Sequence, residues 1–267
     1  SLSSTQTTET LKIRLNKPQS KAHRQFTDGS TVTLAWGRGV GKSEFILLTM
    51  FLLVSAYDGQ WRQTRGANAI QGVRIVYVLP AITQAKKAVL GRFLAKLKGT
   101  FRFLGGDINL VDLRASFPGG SWIQFVSQEQ RDNLRSLRCD AILVDEADDI
   151  DGEGDGFTLM GKRTTTFLSR GKVVVESSPG RPIIDPNWKP ATPHEAPPVG
   201  GILGIYNRSD RRRWYWQCPH CGEHLQAEPG LGLFRLPGND ELLEGIRELD
   251  IDRFARDYAR VVCPASG

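Results

Sequence analysis

The stretch "LAWGRGVGKSEF", residues 34–45, decides the fold. An apolar, β-branched segment, "TVTLAW" at 31–36, leads into it, and a long segment with helical character follows over 42–57. A glycine-rich turn between a strand and a helix is the setting of a phosphate-binding loop. Glycines let successive backbone N–H groups face an anion, and the helix N-terminus adds positive charge. The stretch therefore predicts a nucleotide-binding α/β fold.

The loop follows the spacing G-x-x-x-x-G-K-[ST], except that Trp36 stands in the first glycine position. Lys42 would reach the β- and γ-phosphates, and the Ser43 hydroxyl would bind Mg²⁺. Arg38 would stabilise charge on the transferred phosphoryl group. Gly39, Gly41, Lys42 and Ser43 would cradle the phosphates, and the predicted nucleotide-binding residues of the loop are Gly37, Arg38, Gly39, Val40, Gly41, Lys42 and Ser43. A glycine-rich turn with an incidental lysine and a solvated arginine is the alternative interpretation.

A second motif, "AILVDEAD" at 141–148, consists of four apolar residues followed by acids. A buried strand that ends here places carboxylates at the carboxyl edge of the sheet, where α/β folds bind ligands. Asp145 would bind Mg²⁺, and Glu146 would orient or deprotonate the attacking water. A strand that simply runs out into a solvated acidic loop is the alternative.

A third strand, "VVVESSPG" at 173–180, ends in small hydroxyl residues. At such a strand end Ser177 and Ser178 would sense the γ-phosphate and couple hydrolysis to movement. A plain strand-to-turn transition has the same pattern.

The whole chain has the pattern of an α/β fold with a mostly parallel central sheet flanked by helices. Strands are predicted at 31–36, 74–79, 121–126, 141–144 and 172–177, and helices at 42–57, 81–98 and 239–259. "FPGGSW" at 117–122 is typical of a hairpin turn. The domain organisation that we predict is a lead-in at 1–24, an ATPase core at 25–180, a proline-rich linker or loop at 181–207 and a basic, cysteine-containing subdomain at 208–267.

Composition restricts the class of protein. A net charge of +6 favours a polyanionic partner. The longest apolar run, "FILLTMFLLVSA" from Phe45, is shorter than the ~20 residues of a membrane span. The first residues, "SLSSTQTTET", have no export-signal pattern. We therefore expect an intracellular protein that does not act in a membrane.

The cysteines suggest a metal site. "CPHCGEH" at 218–224 places Cys218 and Cys221 in a C-x-x-C knuckle that suits tetrahedral Zn²⁺, and Cys263 offers a third thiolate. Either His220 or His224 supplies the fourth ligand, or that ligand lies beyond the end of this sequence. Reduced thiols without metal are the alternative. The remaining cysteine, Cys139, is expected in the core.

A basic, aromatic stretch, "RSDRRRWYW" at 208–216, precedes the knuckle. Its arginines would contact phosphates and its aromatic rings would stack on bases. A solvated basic face whose aromatic rings pack on the knuckle is equally compatible. The candidate residues are Arg208, Arg211, Arg212 and Arg213.

In order, the motifs are "GRGVGKS", "YVLPAITQAKKAV", "IQFVSQEQRDNLRSLRCDAILVDEADDI", "GKRTTTF", "ESSP" and "NRSDRRRWYWQCPHCGEH". Over residues 25–267 this set resembles the ATPase half of tailed-bacteriophage large terminase subunits, particularly the lambda-type branch. The resemblance implies an ASCE-type P-loop NTPase with a small zinc-ribbon-like appendage.

The resemblance also implies a function: an ATP-driven motor that moves double-stranded DNA through a portal into a procapsid. Its partners would be the portal, the small terminase subunit and further copies in a ring, in the bacterial host cytoplasm. Gln25 would read adenine, and the arginine finger would be Arg38 or one of Arg211, Arg212 and Arg213. Full-length relatives carry a nuclease domain for which this sequence has no room, so we expect the chain to be the ATPase part alone.

Two other functions fit parts of the sequence. "VDEAD" matches the D-E-A-D box of RNA helicases, but such helicases need a second α/β domain, which the proline-rich and cysteine-containing residues after Gly180 do not suggest. A non-catalytic zinc-knuckle module that binds nucleic acid and retains a vestigial nucleotide fold would explain Trp36. It would not explain why the lysine and acidic motifs are intact.

Overall fold

A computed structural model describes residues 15, 17–28, 31–35, 41–63, 69–127, 138–150, 164, 171–226, 234–235 and 260–266. The chain divides into two compact units, Ser1–Asp210 and Arg211–Gly267. This division falls close to the boundary that the sequence predicts at residue 208.

A seven-stranded sheet forms the centre of the first unit. Its strands are β1 (Thr31–Ala35), β4 (Arg74–Leu79), β5 (Asp107–Asn109), β6 (Arg114–Ser116), β7 (Trp122–Ser127), β8 (Ala141–Val144) and β9 (Lys172–Ser177). Two further strands, β2 (Trp61–Gln63) and β3 (Ala69–Gln71), make a separate antiparallel pair.

The strand order in the sheet is β1-β9-β8-β4-β7-β6-β5. The first five strands in this order are parallel, and β6 and β5 add an antiparallel edge. Strands β4, β8 and β9 are buried along almost their whole length, as expected for a parallel sheet covered on both faces. The prediction of a mostly parallel central sheet is confirmed.

Five α-helices are described, and none of the helices among these residues has the length and apolar character needed to cross a membrane. They are α1 (Lys17–Asp28), α2 (Lys42–Tyr57), α3 (Ile82–Ala88), α4 (Leu94–Lys98) and α5 (Gly201–Asn207). A π-helical turn, Val89–Phe93, joins α3 to α4. The helical segment predicted at 81–98 is thus present, with a change of helix type in its middle.

Helix α2 anchors the predicted phosphate loop to the core. It follows Gly41, whose φ of 81° is in the left-handed region that favours glycine. Its side chains are buried on nearly every side, as expected for an apolar helix covered by other elements. The Phe51 ring stacks on Phe101 at 4.3 Å and on Phe93 at 5.0 Å between ring centroids. This packing fixes the middle of the helix against the core.

The hairpin predicted at 117–122 is confirmed: β6 and β7 pair antiparallel on either side of it. The Asp58 carboxylate, just past the end of α2, accepts hydrogen bonds from the N–H groups of Gly119 at 2.8 Å and Ser121 at 3.0 Å. A Cβ atom on Gly119 would lie 2.1 Å from the Gly59 nitrogen, so this close approach requires glycine.

The lead-in predicted for residues 1–24 differs from the structure at its end. Helix α1 begins at Lys17, and Gln19, Ala22 and Phe26 are buried. Ala22 and Phe26 are one helical turn apart and Gln19 is three residues before Ala22, so all three lie on one face. That face packs into the hydrophobic core of the first unit. This burial stabilises a helix in a mostly polar stretch of sequence.

The proline-rich segment predicted at 181–207 also ends differently. Residues 178–200 contain no regular helix or strand, but Gly201–Asn207 forms α5. The last proline before this helix is Pro198. Within the helix the side chains of Ile202 and Tyr206 are buried. The final residues of the predicted linker therefore belong to the core of the first unit.

The second unit contains two short antiparallel pairs among its described residues. One is β10 (Trp216–Gln217) with β11 (His224–Leu225), and the other is β12 (Phe234–Arg235) with β13 (Arg260–Val261). The helix predicted at 239–259 lies outside the described residues.

Candidate active site

The carboxyl ends of β8 and β9 lie side by side, because these strands are parallel neighbours. Strand β1 pairs with β9 on the other side, with Ala35 opposite Ser177. Parallel strands end at the same edge of a sheet, where α/β folds bind ligands. The residues that follow these strands are therefore brought together at one place.

Lys42 is the first residue of α2, and its side chain reaches this edge. Its Nζ donates a hydrogen bond to Ser178 Oγ at 2.9 Å and lies 3.8 Å from Glu176 Oε2. Only 10 % of the Lys42 side chain is exposed. A largely desolvated ammonium at a helix N-terminus is a strong site for a phosphate group.

Gln19 supports the start of the same helix. Its Nε2 donates to the Gly41 carbonyl at 3.0 Å, and the Phe45 N–H donates to the same oxygen at 3.0 Å. Gln19 is buried. The hydrogen bond ties α1 to the last glycine before Lys42 and so restricts the conformation of the loop there.

Asp145 follows β8 and is buried. The Tyr77 hydroxyl donates to its Oδ2, and burial together with this neighbouring carboxylate raises the tyrosine pKa well above its ordinary value. Asp145 Oδ1 is buried without a hydrogen-bond partner among the described residues. Buried carboxylate oxygens normally have a hydrogen-bond partner, so a bound ligand or ion would explain why Asp145 Oδ1 has none here. With the Ser43 hydroxyl in the first turn of α2, the available donors are hard oxygens, which fit Mg²⁺.

Glu176 is a second carboxyl group beside Asp145, and it is 1 % exposed. Burial raises its pKa to about 10, and a hydrogen bond to Asp145 and the charge of Asp145 act in the same direction, whereas Lys42 opposes them. Glu176 is therefore protonated at neutral pH in this arrangement. Its Oε2 has no hydrogen-bond partner among the described residues. Glu176 thus places a neutral carboxyl group beside the lysine.

Glu146, the residue after Asp145, has an exposed side chain, whereas the side chains of Asp145 and Glu176 are buried. Its backbone has φ 51° and ψ 52°, the left-handed region that non-glycine residues seldom adopt. Partial burial raises its pKa, and a hydrogen bond to Asp149 and the charges of Asp145 and Asp149 act in the same direction, while Lys42 lowers it. A carboxylate with a raised pKa is the stronger base, and strained backbone is frequent at catalytic positions.

Asp148 connects three segments of the first unit. Its Oδ2 accepts hydrogen bonds from the N–H groups of Gly180 at 2.6 Å and Arg181 at 3.2 Å, and its Oδ1 accepts one from Ile202 at 2.7 Å. Its own N–H donates to Ser177 Oγ at 3.1 Å. The loop after β8, the segment after β9 and the first turn of α5 are thus held by one side chain.

Substitution of Asp148 by asparagine is expected to lower the free energy of unfolding by about 2 kcal/mol, because an amide replaces a charged acceptor and turns an NH₂ group towards N–H donors. Urea denaturation would measure the loss. The matched control is Asp149→Asn, since Asp149 is exposed in the same turn and its change should stay within about 0.5 kcal/mol. Equal midpoints for both variants would contradict the bridging role of Asp148.

Comparison with protein families identifies the chain. The family described as phage terminase large subunit gpA, ATPase domain, matches residues 108–267, which is more than half of the chain. The chain belongs to this family. The matched part of this terminase ATPase domain contains the acidic residues after β8, strand β9 and the cysteines. It begins after the phosphate loop.

Solved structures resemble the chain at low identity. The large terminase ATPase domain of Thermus phage P74-26 is 19 % identical with a TM-score of 0.47, over 63 % of this chain and 67 % of that one. The HK97 bacteriophage large terminase is 18 % identical with a TM-score of 0.48, over 62 % of this chain and 33 % of that one. The bacteriophage Phi-29 viral genome packaging motor assembly gives 13 % and 0.41, over 65 % of this chain and 49 % of that one. The chain thus spans about a third of the second of these chains and about half of the third. Among proteins with curated descriptions none matches it.

Several residues predicted for the site lie outside the described residues. These are Trp36, Gly37, Arg38, Gly39 and Val40 in the loop. Gln25 lies in α1, but its side chain is not described. Their proposed contacts with nucleotide in this terminase domain stay predictions.

The predicted DNA-contacting arginines and zinc-ligand cysteines come later in the sequence than Asp145 and Glu176. Arg208 directly follows α5 in the first unit and is exposed, whereas Arg211, Arg212 and Arg213 belong to the second unit. The aromatic residues after them, Trp214, Tyr215 and Trp216, are between 40 % and 45 % exposed. Cys218, Cys221 and Cys263 come together in the second unit, while Cys139 is buried in the core, as predicted.

Sequence reasoning missed four residues of the site: Gln19, Tyr77, Asp148 and Glu176. A tyrosine and a glutamate that directly follow apolar residues in buried strands were the available signals, because a polar group in a buried strand needs a partner. Gln19 and Asp148 gave no comparable signal, since both lie in polar sequence.

Proposed function

We propose that this chain binds ATP with Mg²⁺ at the carboxyl edge of its sheet and hydrolyses it as the motor domain of a terminase that moves double-stranded DNA into a procapsid. The observation that carries the proposal is the contact of Lys42 Nζ with Ser178 Oγ, 2.9 Å apart, beside Asp145 and Glu176. A lysine after a glycine-rich loop, next to two buried carboxyl groups, is what ATP–Mg²⁺ binding requires. Membership in a terminase ATPase family supports the same conclusion.

Binding would use groups that already face this edge. The Lys42 ammonium would pair with the β- and γ-phosphates, and the backbone N–H groups of the loop and of the first turn of α2 would contact phosphate oxygens. Asp145 and Ser43 would hold the cation, and Tyr77 fixes the orientation of the Asp145 carboxylate. Mg²⁺ held there would neutralise charge on the phosphates.

Hydrolysis would use Glu146 as the base. Its carboxylate accepts a proton from water while the water oxygen bonds to the γ-phosphorus; the bond from that phosphorus to the bridging oxygen breaks, and ADP leaves with the electron pair. Arg38 would stabilise the charge that develops on the transferred group. The exposure of Glu146 and its raised pKa support this role.

Coupling would begin at Ser178. When the γ-phosphate recruits the Lys42 ammonium, the hydrogen bond from Lys42 to Ser178 has to change, and the segment after β9 loses a contact. Ser177 and Asp148 connect that segment to the acidic loop, and Asp148 connects it to α5. A change at the phosphate is thereby passed to the segments that follow β9.

The partners that we propose are double-stranded DNA, a portal on the procapsid, the small terminase subunit and further copies of this chain in a ring, in the bacterial cytoplasm. The net charge of +6 favours a polyanion. The four candidate arginines, Arg208, Arg211, Arg212 and Arg213, would contact DNA phosphates or serve a neighbouring copy as an arginine finger. The match to a terminase ATPase family favours the packaging motor over the helicase alternative.

The test is ATP turnover by the chain, with and without double-stranded DNA, across a range of protein concentrations. We expect hydrolysis to rise with DNA and to rise more steeply than linearly with protein, because a neighbouring copy completes the site. Arg38→Ala should lower turnover by about 10³-fold if it acts as the finger, and Arg24→Ala, on the exposed side of α1, should not change it. Absence of both ATP binding and hydrolysis under every condition would refute the proposal and favour the non-catalytic module.

A further inference from the structure

Three cysteines of the second unit form a compact cluster that the ATP chemistry does not use. The sulfur atoms of Cys218, Cys221 and Cys263 all lie within 4.8 Å of one another, and those of Cys221 and Cys263 are 3.6 Å apart. All three are free thiols. In a tetrahedral zinc site with Zn–S bonds of about 2.3 Å, neighbouring sulfur atoms are about 3.8 Å apart. The cluster has the dimensions of such a site.

The backbone around Cys218 has the form of a metal knuckle. The Gly222 N–H donates to the Cys218 carbonyl at 3.0 Å, and the Cys218 N–H donates to the Glu223 carbonyl at 2.7 Å. Gly222 has φ 79°, which favours glycine at this position. The hairpin β10–β11 closes the turn by pairing Gln217 with His224. This tight turn holds the sulfur atoms of Cys218 and Cys221 within 4.8 Å of each other.

The sequence at Cys263 repeats the pattern of the first knuckle. Ser266 occupies, in "CPAS", the position that Cys221 occupies in "CPHC". Cys263 lies in the same cluster as Cys218 and Cys221. Two segments with the same spacing thus supply the cluster, and the second one ends in a hydroxyl group.

Ser266 places a hydroxyl group beside the cluster. Its Oγ is 3.8 Å from Cys218 Sγ. His220 and His224, which the sequence suggests as fourth ligands, are exposed, and neither belongs to the cluster within the described residues. The Ser266 oxygen is therefore the candidate for the fourth position.

We propose that Cys218, Cys221 and Cys263 bind one Zn²⁺ as thiolates, with the Ser266 hydroxyl, or a water molecule held by it, at the fourth position. The ion would join the 216–225 hairpin to the 260–266 segment. Two-residue strands do not hold these segments together by themselves, so metal binding would supply much of the folding free energy of this unit. The proposal is independent of ATP binding, and its test needs no ATPase measurement.

The experiment uses the reduced full chain, freed of metal with a chelator and titrated with Zn²⁺ and with Co²⁺. We expect one ion per chain, and the Co²⁺ complex should show the visible absorption of a tetrahedral site together with sulfur-to-cobalt charge transfer. Cys218→Ser and Cys263→Ser should each weaken binding by about 100-fold or more. The matched control is Cys139→Ala, which removes the cysteine outside the cluster and should bind the ion as the unaltered chain does.

Two substitutions of Ser266 test the fourth position. Ser266→Ala should weaken binding by about 10-fold. Ser266→Cys should strengthen it by about 10-fold or more and increase the charge-transfer absorption by about one third, because a fourth thiolate joins three. This gain is measurable even if the cysteine variants fail to fold. Absence of stoichiometric binding, or a Cys221–Cys263 disulfide that forms equally with and without Zn²⁺, would overturn the site. An effect of His220→Ala as large as that of Cys218→Ser would overturn the role of Ser266.

Discussion

Replacement of Glu146 by glutamine is expected to lower kcat for ATP hydrolysis by about 10²- to 10⁴-fold, the range for loss of a positioned general base. Glutamine keeps the shape of the side chain but cannot accept a proton from water. ATP binding should stay within about 3-fold of the original, because the phosphate contacts come from Lys42 and the loop. Single-turnover hydrolysis and equilibrium binding of ATP would separate the two effects.

The matched control is Glu44→Gln. Glu44 lies in the first turn of α2, is 40 % exposed at its side chain and forms an ion pair with Lys96 on the surface. It carries the same charge change without access to the phosphates, so turnover should be unaltered. If Glu146→Gln hydrolyses ATP as fast as the unaltered chain, another group activates the water and the proposed mechanism is wrong.

Replacement of Lys42 by alanine is expected to weaken ATP binding by about 100-fold or more, and hydrolysis with it. Removing one partner of a desolvated charge pair costs about 2–5 kcal/mol, and each 1.4 kcal/mol is tenfold in affinity. Lys42 is largely buried, so water does not compensate for the missing ammonium. Titration with a fluorescent ATP analogue would measure the loss.

The same substitution should leave the fold intact, which separates this effect from unfolding. Lys42 is the group that lowers the pKa of Glu176, so its removal makes the glutamate still easier to protonate, and a neutral carboxyl group needs no counter-charge. Thermal unfolding should therefore change little. The matched control is Lys96→Ala, on helix α4, where the half-buried Lys96 side chain pairs with Glu44. If Lys42→Ala binds ATP normally, the glycine-rich turn is not a phosphate loop in this chain.

Much of the fold could be predicted from the sequence because its signals are local. The parallel strands at 74–79, 141–144 and 172–177 are built around runs of apolar, mostly β-branched residues, and the helix after the loop begins where Gly41 ends the turn. The hairpin at 117–122 follows from its proline and glycines. Where prediction and structure differ, the reason is packing: Gln19 and Ala22 become buried only because α1 packs on the first unit, and α5 forms because Ile202 and Tyr206 find a core to enter.

The active-site contacts required the strand order. Lys42 and Ser178 are 136 positions apart, and they meet because β9 lies between β1 and β8 in the sheet. The same order brings Glu176 beside Asp145, which raises the glutamate pKa. No spacing in the sequence specifies which strand ends become neighbours.

The sequence by itself determined the residue types and their local setting: a glycine-rich turn before a helix, acids after a buried strand, and a C-x-x-C knuckle. These features can be read from the sequence because they depend on backbone conformation and apolar–polar patterns that extend over only a few residues. The tertiary structure alone decided which groups share a site: Tyr77 and Glu176 with Asp145, Asp148 with α5, and Ser266 with three cysteines. Such pairings depend on strand order and chain packing, because they join residues that are distant along the chain.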